Sequence, residues 1–232
     1  MASLIISPGP AHPDTDKTRG RERRVLTFAV IPFYGPEKIW NLYTPFTNYL
    51  NKATGLRWEL KLFHNHEEVI AGLCNGEVSI ALLGPAPLGI AAKNCGIEPL
   101  IVALGRDGRL FYHSVIIAPK VGVNDLAGLR GKRFGVFRGS TAAHILPIKM
   151  LREAGVAEKD ITPIFHPNRE DILKAVVSGE VAAAGVKESL YLKFKDAPLK
   201  ALKTEGQTSA YCEGLRRRDK ERLCAAAGFF FG

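Results

Sequence analysis

The sequence predicts an α/β fold of two lobes, with a ligand cleft between them. Two observations carry this. First, the chain nearly repeats itself. Asn65-His66-Glu67-Glu68-Val69-Ile70-Ala71-Gly72-Leu73-Cys74-Asn75-Gly76-Glu77-Val78 is answered about a hundred residues later by Asn168-Arg169-Glu170-Asp171-Ile172-Leu173-Lys174-Ala175-Val176-Val177-Ser178-Gly179-Glu180-Val181. Each copy reads as an acidic helix start, a short apolar-faced helix, a glycine stop and a strand of small residues. Second, strands alternate with helices along most of the chain, which implies mainly parallel sheets. Two copies so far apart predict two similar lobes rather than a short-period solenoid. The cleft between lobes is the expected ligand site.

The elements follow in order. Residues 1–24 are rich in Pro, Asp, Thr and Arg without periodicity, and read as a disordered leader. Val25 to Ile31 is an apolar run stopped by Pro32, a buried strand. Ile39, Trp40, Leu42, Tyr43, Phe46, Tyr49 and Leu50 recur at three- and four-residue steps, an amphipathic helix with Pro45 inside it and Gly55 after it. Trp58, Leu60 and Leu62 alternate with charged residues, as in a half-exposed strand. The first repeat helix leads to a strand from Val78 to Leu83, and Gly84-Pro85 opens a further helix. Strands are expected over Pro99–Leu104 and Phe111–Ala118, joined by the turn Gly105–Arg109. After a short helix from Asn124, the strand Arg133–Phe137 runs into the loop Gly139-Ser140-Thr141 and a helix ended by Gly155. Ile161–Phe165, the second repeat helix with its strand, and Leu199–Leu202 complete the pattern. The expected organisation is a leader (1–24), a first lobe (25–110), a crossing strand (111–118), a second lobe (119–203) and a return segment (204–232) that is atypical after Gly206.

Composition sets limits. Of 232 residues, 46% are apolar and 24% charged, enough for a real core. No apolar run reaches eighteen residues, so no membrane span is expected, and Leu4-Ile5-Ile6 is too short for a secretory h-region. The net charge of +9 falls to about +5 on residues 25–206, a balance compatible with anionic ligands. The basic residues are scattered and no recognition motif accompanies them, so nucleic acid is not an expected partner. Cys74, Cys95, Cys212 and Cys224 have no metal-ligand spacing, and Cys74 reads as a small buried hydrophobe. No metal and no cofactor are expected.

Gly139-Ser140-Thr141 is the strongest local site signal. A loop that follows a strand and opens a helix presents unpaired N–H groups and a positive dipole end, which suit an oxyanion. Ser140 and Thr141 add hydroxyls; the alternative is a simple N-cap. Gly84-Pro85 holds the matching place in the first half, with proline removing backbone donors. Tyr34, Tyr112 and His166 can supply side-chain contacts. No GxSxG, Walker loop or HExxH is present, and the pair Ser140 and His144 has no orienting acid, so catalysis is not expected.

Taken together, several segments resemble the phosphonate, phosphite and phosphate-type substrate-binding proteins of ABC importers over about Leu26 to Gly206. The resemblance rests on Phe28-Ala29-Val30-Ile31-Pro32, Tyr43-Thr44-Pro45-Phe46, Asn75-Gly76-Glu77-Val78 with Gly84-Pro85, Tyr112-His113-Ser114-Val115-Ile116, Leu129-Arg130-Gly131-Lys132-Arg133-Phe134, Gly139-Ser140-Thr141 and Gly185-Val186-Lys187-Glu188-Ser189. It implies a type 2 periplasmic-binding fold whose lobes close like a hinge, a membrane permease as partner, and a periplasmic or extracytoplasmic location. The family's Ser-Thr-Ser-Gly anion loop maps onto Ser140, Thr141, Ala142 and Ala143. Its Ser-His-Asp motif maps onto Phe165, His166 and Pro167. Leu88 stands for the family aromatic, and Ser79 and Ala182 for its aspartates. The ligand-binding residues so implied are Tyr34, Gly84, Pro85, Tyr112, Ser140, Thr141, Ala142, His166, Lys187 and Glu188. The family adds closing helices after the return segment; the 26 residues after Gly206 do not match them, and a chain truncated or read out of frame there is the expectation. A sensor domain, an enzyme on the same fold and a damaged gene product are the alternatives.

Overall fold

In the computed structural model, the described residues are 25–31, 33–101, 108, 111–194 and 196–205. The expectations for the leader 1–24, most of the turn Gly105–Arg109 and the tail after Gly206 lie outside them.

The first lobe is a three-stranded parallel sheet of order β2-β1-β3, from β1 (Leu26–Val30), β2 (Trp58–Leu62) and β3 (Ile80–Leu82). Its helices are α1 (Pro36–Thr54), α2 (His66–Cys74) and α3 (Pro85–Cys95). The α1 helix starts where the sequence marks it: Pro36 needs no N–H partner at the first position, and Glu37 suits the positive dipole end. It stops at left-handed Gly55, whose N–H bonds the Asn51 carbonyl. Of its apolar residues, Ile39, Tyr43, Phe46 and Leu50 turn inward, and Phe46 and Tyr43 pack on Phe28 of β1. Trp40, Leu42 and Tyr49 are exposed, so the apolar stripe read from the sequence is wider than the face that packs.

The second lobe is a five-stranded mixed sheet of order β6-β5-β7-β4-β8. Its strands are β4 (Ser114–Pro119), β5 (Arg133–Val136), β6 (Thr162–Phe165), β7 (Ala183–Lys187) and β8 (Leu199–Glu205). β5 runs parallel to β6 and β7, whereas β4 is antiparallel to both β7 and β8. Its helices are α4 (Leu146–Glu153), α5 (Arg169–Val177) and α6 (Glu188–Lys193). β8 is longer than the expected Leu199–Leu202. Residues 99–101 are not in a strand, so the described part of the expected Pro99–Leu104 strand is irregular.

The repeat is real in three dimensions. A shift of 103 residues carries Asn65, His66 and Gly76 onto Asn168, Arg169 and Gly179. Both asparagines are N-caps whose side chains accept N–H bonds from the first turn, and both glycines lie at positive φ, 78° and 76°. The exit bonds match too: Val78 N–H to Gly72, and Val181 N–H to Ala175. The central orders β2-β1-β3 and β6-β5-β7 are the same topology.

One apolar cluster joins the lobes, with Val30 and Val69 on one side and Phe137, Ile172 and Val176 on the other. A second lies under α4, built on Phe134, Ile116, Leu129, Met150 and Leu151. Each such side chain stabilises the fold by roughly 1.5–3 kcal/mol on burial. Cys74 corrects an expectation: it is exposed, not a core hydrophobe, and forms a disulfide with Cys95. The inward face of α2 is taken by Val69, Ile70 and Leu73, which leaves the next residue, Cys74, to meet α3 packed alongside.

Candidate functional site

The two lobes meet around the loop that enters α4. β5 ends at Val136, and the chain turns through Gly139 at φ 73°. Gly139 is needed for space as well, because a Cβ there would lie 3.1 Å from His66 of the opposite lobe. Ser140 caps the helix that follows, its Oγ accepting the Ala143 N–H at 3.3 Å. The first turn, Thr141–Ile145, is a π turn, with the Ile145 N–H reaching back to the Ser140 carbonyl. Behind it, the buried Ser114 hydroxyl donates to the Ala142 carbonyl at 2.8 Å and ties the loop to β4. Ser140, Thr141, Ala142 and Ala143 are all buried. The N–H groups of Thr141 and Ala142, at the start of the helix, have no hydrogen-bond partner among the described residues.

Thr141 bridges the lobes. Its Oγ1 accepts the Ala86 N–H at 3.0 Å. Ala86 stands between Pro85 and Pro87 at the start of α3, so it offers the single N–H of that three-residue stretch. Gly84 caps α3, and a Cβ there would come 3.2 Å from Thr141 Oγ1 and 3.8 Å from the Tyr112 hydroxyl. Tyr112 is hydrogen-bonded to the Thr141 side chain, and burial pushes its phenol up. Gly84, Pro85, Tyr112, Thr141 and, through the loop, Ser140 and Ala142 are thus brought together.

The other expected residues lie around this centre. Lys187 Nζ sits over the Tyr112 ring at 4.5 Å, and the Glu188 N–H donates to the His113 carbonyl at 2.9 Å, which fixes the start of α6 beside the crossing chain. Tyr34 packs edge-on against Phe33, with Lys38 Nζ 4.2 Å from its ring centre. The His166 N–H continues the sheet to Val136, and its Nε2 is buried beside Gly135 without a hydrogen-bond partner among the described residues. No hydrogen bond joins it to Ser140 or Thr141 among those residues.

Two residues of the centre were not singled out from the sequence. His66 opens α2 and lays its ring against Phe137 of the second lobe, with centroids 5.2 Å apart. Arg169, its repeat equivalent, opens α5 and lays its guanidinium over Phe33 of the first lobe, 4.7 Å from the ring centre. The Arg169 N–H also donates to the Phe33 carbonyl at 3.4 Å. Tyr34, Tyr112 and Tyr43 are close enough to act on its charge. A signal existed: an arginine at the first position of a helix faces the positive dipole end, a local disagreement that marks a site. Nearby, Lys38 of α1 pairs with Glu170 of α5 at 2.5 Å across the lobes.

Burial lowers the His66 imidazole to about 4 and also holds His144 below its ordinary value. The folded chain therefore binds a proton at His66 less tightly than the unfolded chain. The associated stability is present above pH 6.5 and is lost as pH falls through 6.5 toward 4, on the order of 3 kcal/mol. Urea denaturation should find that His66→Phe flattens the fall in stability between pH 6.5 and 4. An unchanged slope would show that His66 does not carry it.

Comparison with known proteins gives these residues a family. A family model described as the ABC transporter, phosphonate, periplasmic substrate-binding protein matches residues 28–212. The chain is 28% identical over 171 residues to the "Phosphate-import protein PhnD" of Mycolicibacterium smegmatis (strain ATCC 700084 / mc(2)155), covering 68% of this chain and 53% of that one. The chain thus spans about half the length of that curated relative. A binding protein component of an ABC phosphonate transporter from Pseudomonas aeruginosa has a similar fold, with a TM-score of 0.68 at 19% identity over 90% of this chain and 74% of that one. PhnD1 from Prochlorococcus marinus (MIT 9301), solved in complex with methylphosphonate, gives 0.67 at 18% identity over 88% and 82%. The fold is that of the type 2 periplasmic-binding proteins, and the chain belongs to the phosphonate periplasmic substrate-binding protein family of ABC transporters.

Proposed function

We propose that the chain is the solute-binding component of an ABC importer and reversibly holds a small oxyanion, a phosphonate, phosphite or phosphate, between its lobes. The observation that carries this reading is the Ser140–Thr141 loop. Two unpartnered N–H groups and two hydroxyls converge there at a helix start, where the dipole favours negative charge, and Thr141 faces the other lobe. Gly84 and Pro85 leave room and remove a competing donor. Tyr34 and Tyr112 close around the ligand, and His166, Lys187 and Glu188 flank it. No covalent step is involved; lobe closure removes the ligand from water, and opening releases it to a membrane permease.

The Cys74–Cys95 disulfide supports an extracytoplasmic location, where such bonds persist. Among the described residues, no helix is long and apolar enough to cross a membrane, and no cluster of His, Cys, Asp or Glu could hold a metal. The relatives' names support the ligand class: one is a phosphate-import protein and another was solved with methylphosphonate.

Calorimetric titration with inorganic phosphate, phosphite and methylphosphonate tests the reading. At least one should bind, and at a hundredfold excess over its Kd should raise stability by about 2.7 kcal/mol. A chain that binds none of the three is not an oxyanion receptor.

A further inference from the structure

Arg169 carries more than its neighbours explain. Its guanidinium is drawn in between the lobes, over Phe33 and within electrostatic reach of three tyrosines. Burial pushes its pKa down from the ordinary value, yet a guanidinium stays charged in proteins. No carboxylate forms an ion pair with it among the described residues. Its two acidic neighbours in the chain are held elsewhere. Glu170 is taken by Lys38 at 2.5 Å, and Asp171 by Lys174 at 3.0 Å and Asn168 at 2.7 Å. Arg169 is half-buried, and a cation partly withdrawn from water without a counter-ion carries a cost that folding alone does not explain.

His66 and His144 do not share this charge. Burial holds His66 and His144 neutral at neutral pH, so in the repeat only the second lobe presents a fixed cation. Tyr112 links that cation to the anion loop, because it is hydrogen-bonded to Thr141 and acts on the charge of Arg169.

We propose that Arg169 is the counter-ion of the bound oxyanion, its planar fork meeting two oxygens from the side opposite the Ser140–Thr141 loop. This rests on the reading of the cleft as an oxyanion site. A guanidinium pairs with two coplanar oxygens of a phosphonate or phosphate better than a point charge does. The ligand class is therefore an oxyanion with a full negative charge spread over at least two oxygens, not a neutral sugar or an uncharged ester.

The test compares the intact chain with Arg169→Met, titrated with methylphosphonate and with inorganic phosphate, alongside urea denaturation without ligand. The expected result is an affinity about a hundredfold lower or worse, with unliganded stability unchanged or raised, because an unpaired, half-buried charge has been removed. Arg169→Gln, which keeps hydrogen-bonding groups without the charge, replaces the Met variant if that one does not fold. Two results would overturn the proposal while leaving the oxyanion reading intact. One is wild-type affinity in both Arg169 variants when Ser140→Ala/Thr141→Ala has lost it. The other is an affinity loss matched by an equal loss of unliganded stability, which would make Arg169 structural. Wild-type chain that binds neither anion overturns the oxyanion reading and this role together.

Discussion

Replacing Ser140 and Thr141 together by alanine is expected to weaken oxyanion binding by about 2–5 kcal/mol, roughly thirtyfold to several thousandfold in Kd. Both hydroxyls are buried at a helix start, and each already accepts one N–H: from Ala143 for Ser140 and from Ala86 for Thr141. The Ser140 proton is thus left to reach an anion, the Thr141 hydroxyl, also hydrogen-bonded to Tyr112, would exchange that partner for it, and charge-assisted bonds to a buried anion are about twice as strong as neutral ones. The Thr141 change also removes the Ala86 bond across the lobes, so closure loses a latch. The unliganded chain should lose far less, on the scale of one helix cap, about 1 kcal/mol. Calorimetry on the double variant decides it; unchanged affinity would reduce the loop to a cap.

The second large effect is on folding. Gly185→Ala should destabilise the second lobe by about 3 kcal/mol, at the upper end of overpacking costs. Gly185 is buried in β7 opposite Ile116 of β4. A Cβ there would sit 2.1 Å from Pro147 Cγ and 2.7 Å from its Cβ, with the Ala143 backbone at 3.4 Å. A proline ring at the start of a helix cannot swing aside as a long side chain can, so the π turn and α4 must lift off the sheet. That turn is the proposed anion loop, and affinity should fall with stability. A urea midpoint equal to that of the unaltered chain would show that the helix gives way freely.

Much of the architecture was legible because it is written locally. Asn65 and Asn168 before acidic first turns, and Gly76 and Gly179 after the helices, fix both repeat units without long-range information. The geometry of the candidate loop was legible for the same reason: strand, glycine, hydroxyl and helix are consecutive in the chain. What failed needed tertiary contacts. Trp40, Leu42 and Tyr49 share the helical spacing of α1, but its packing face is narrower than its apolar stripe. Cys74 and Cys95 are 21 residues apart with no motif between them, and only the packing of α2 beside α3 makes them partners. Arg169 sits next to Glu170 and Asp171, which in sequence look like its ion partners. Only the fold reveals that Lys38 and Lys174 take both acids and leave the guanidinium over Phe33, within electrostatic reach of three tyrosines.

The central claim is that an oxyanion sits between the lobes, on the Ser140–Thr141 loop. The most direct measurement is a crystal structure of the chain grown with methylphosphonate. The account predicts phosphonate oxygens within hydrogen-bonding distance of Thr141 Oγ1 and the Thr141 and Ala142 N–H groups, with the lobes closed over them. Methylphosphonate bound with full occupancy anywhere outside the interlobe cleft, with that loop untouched, would contradict it.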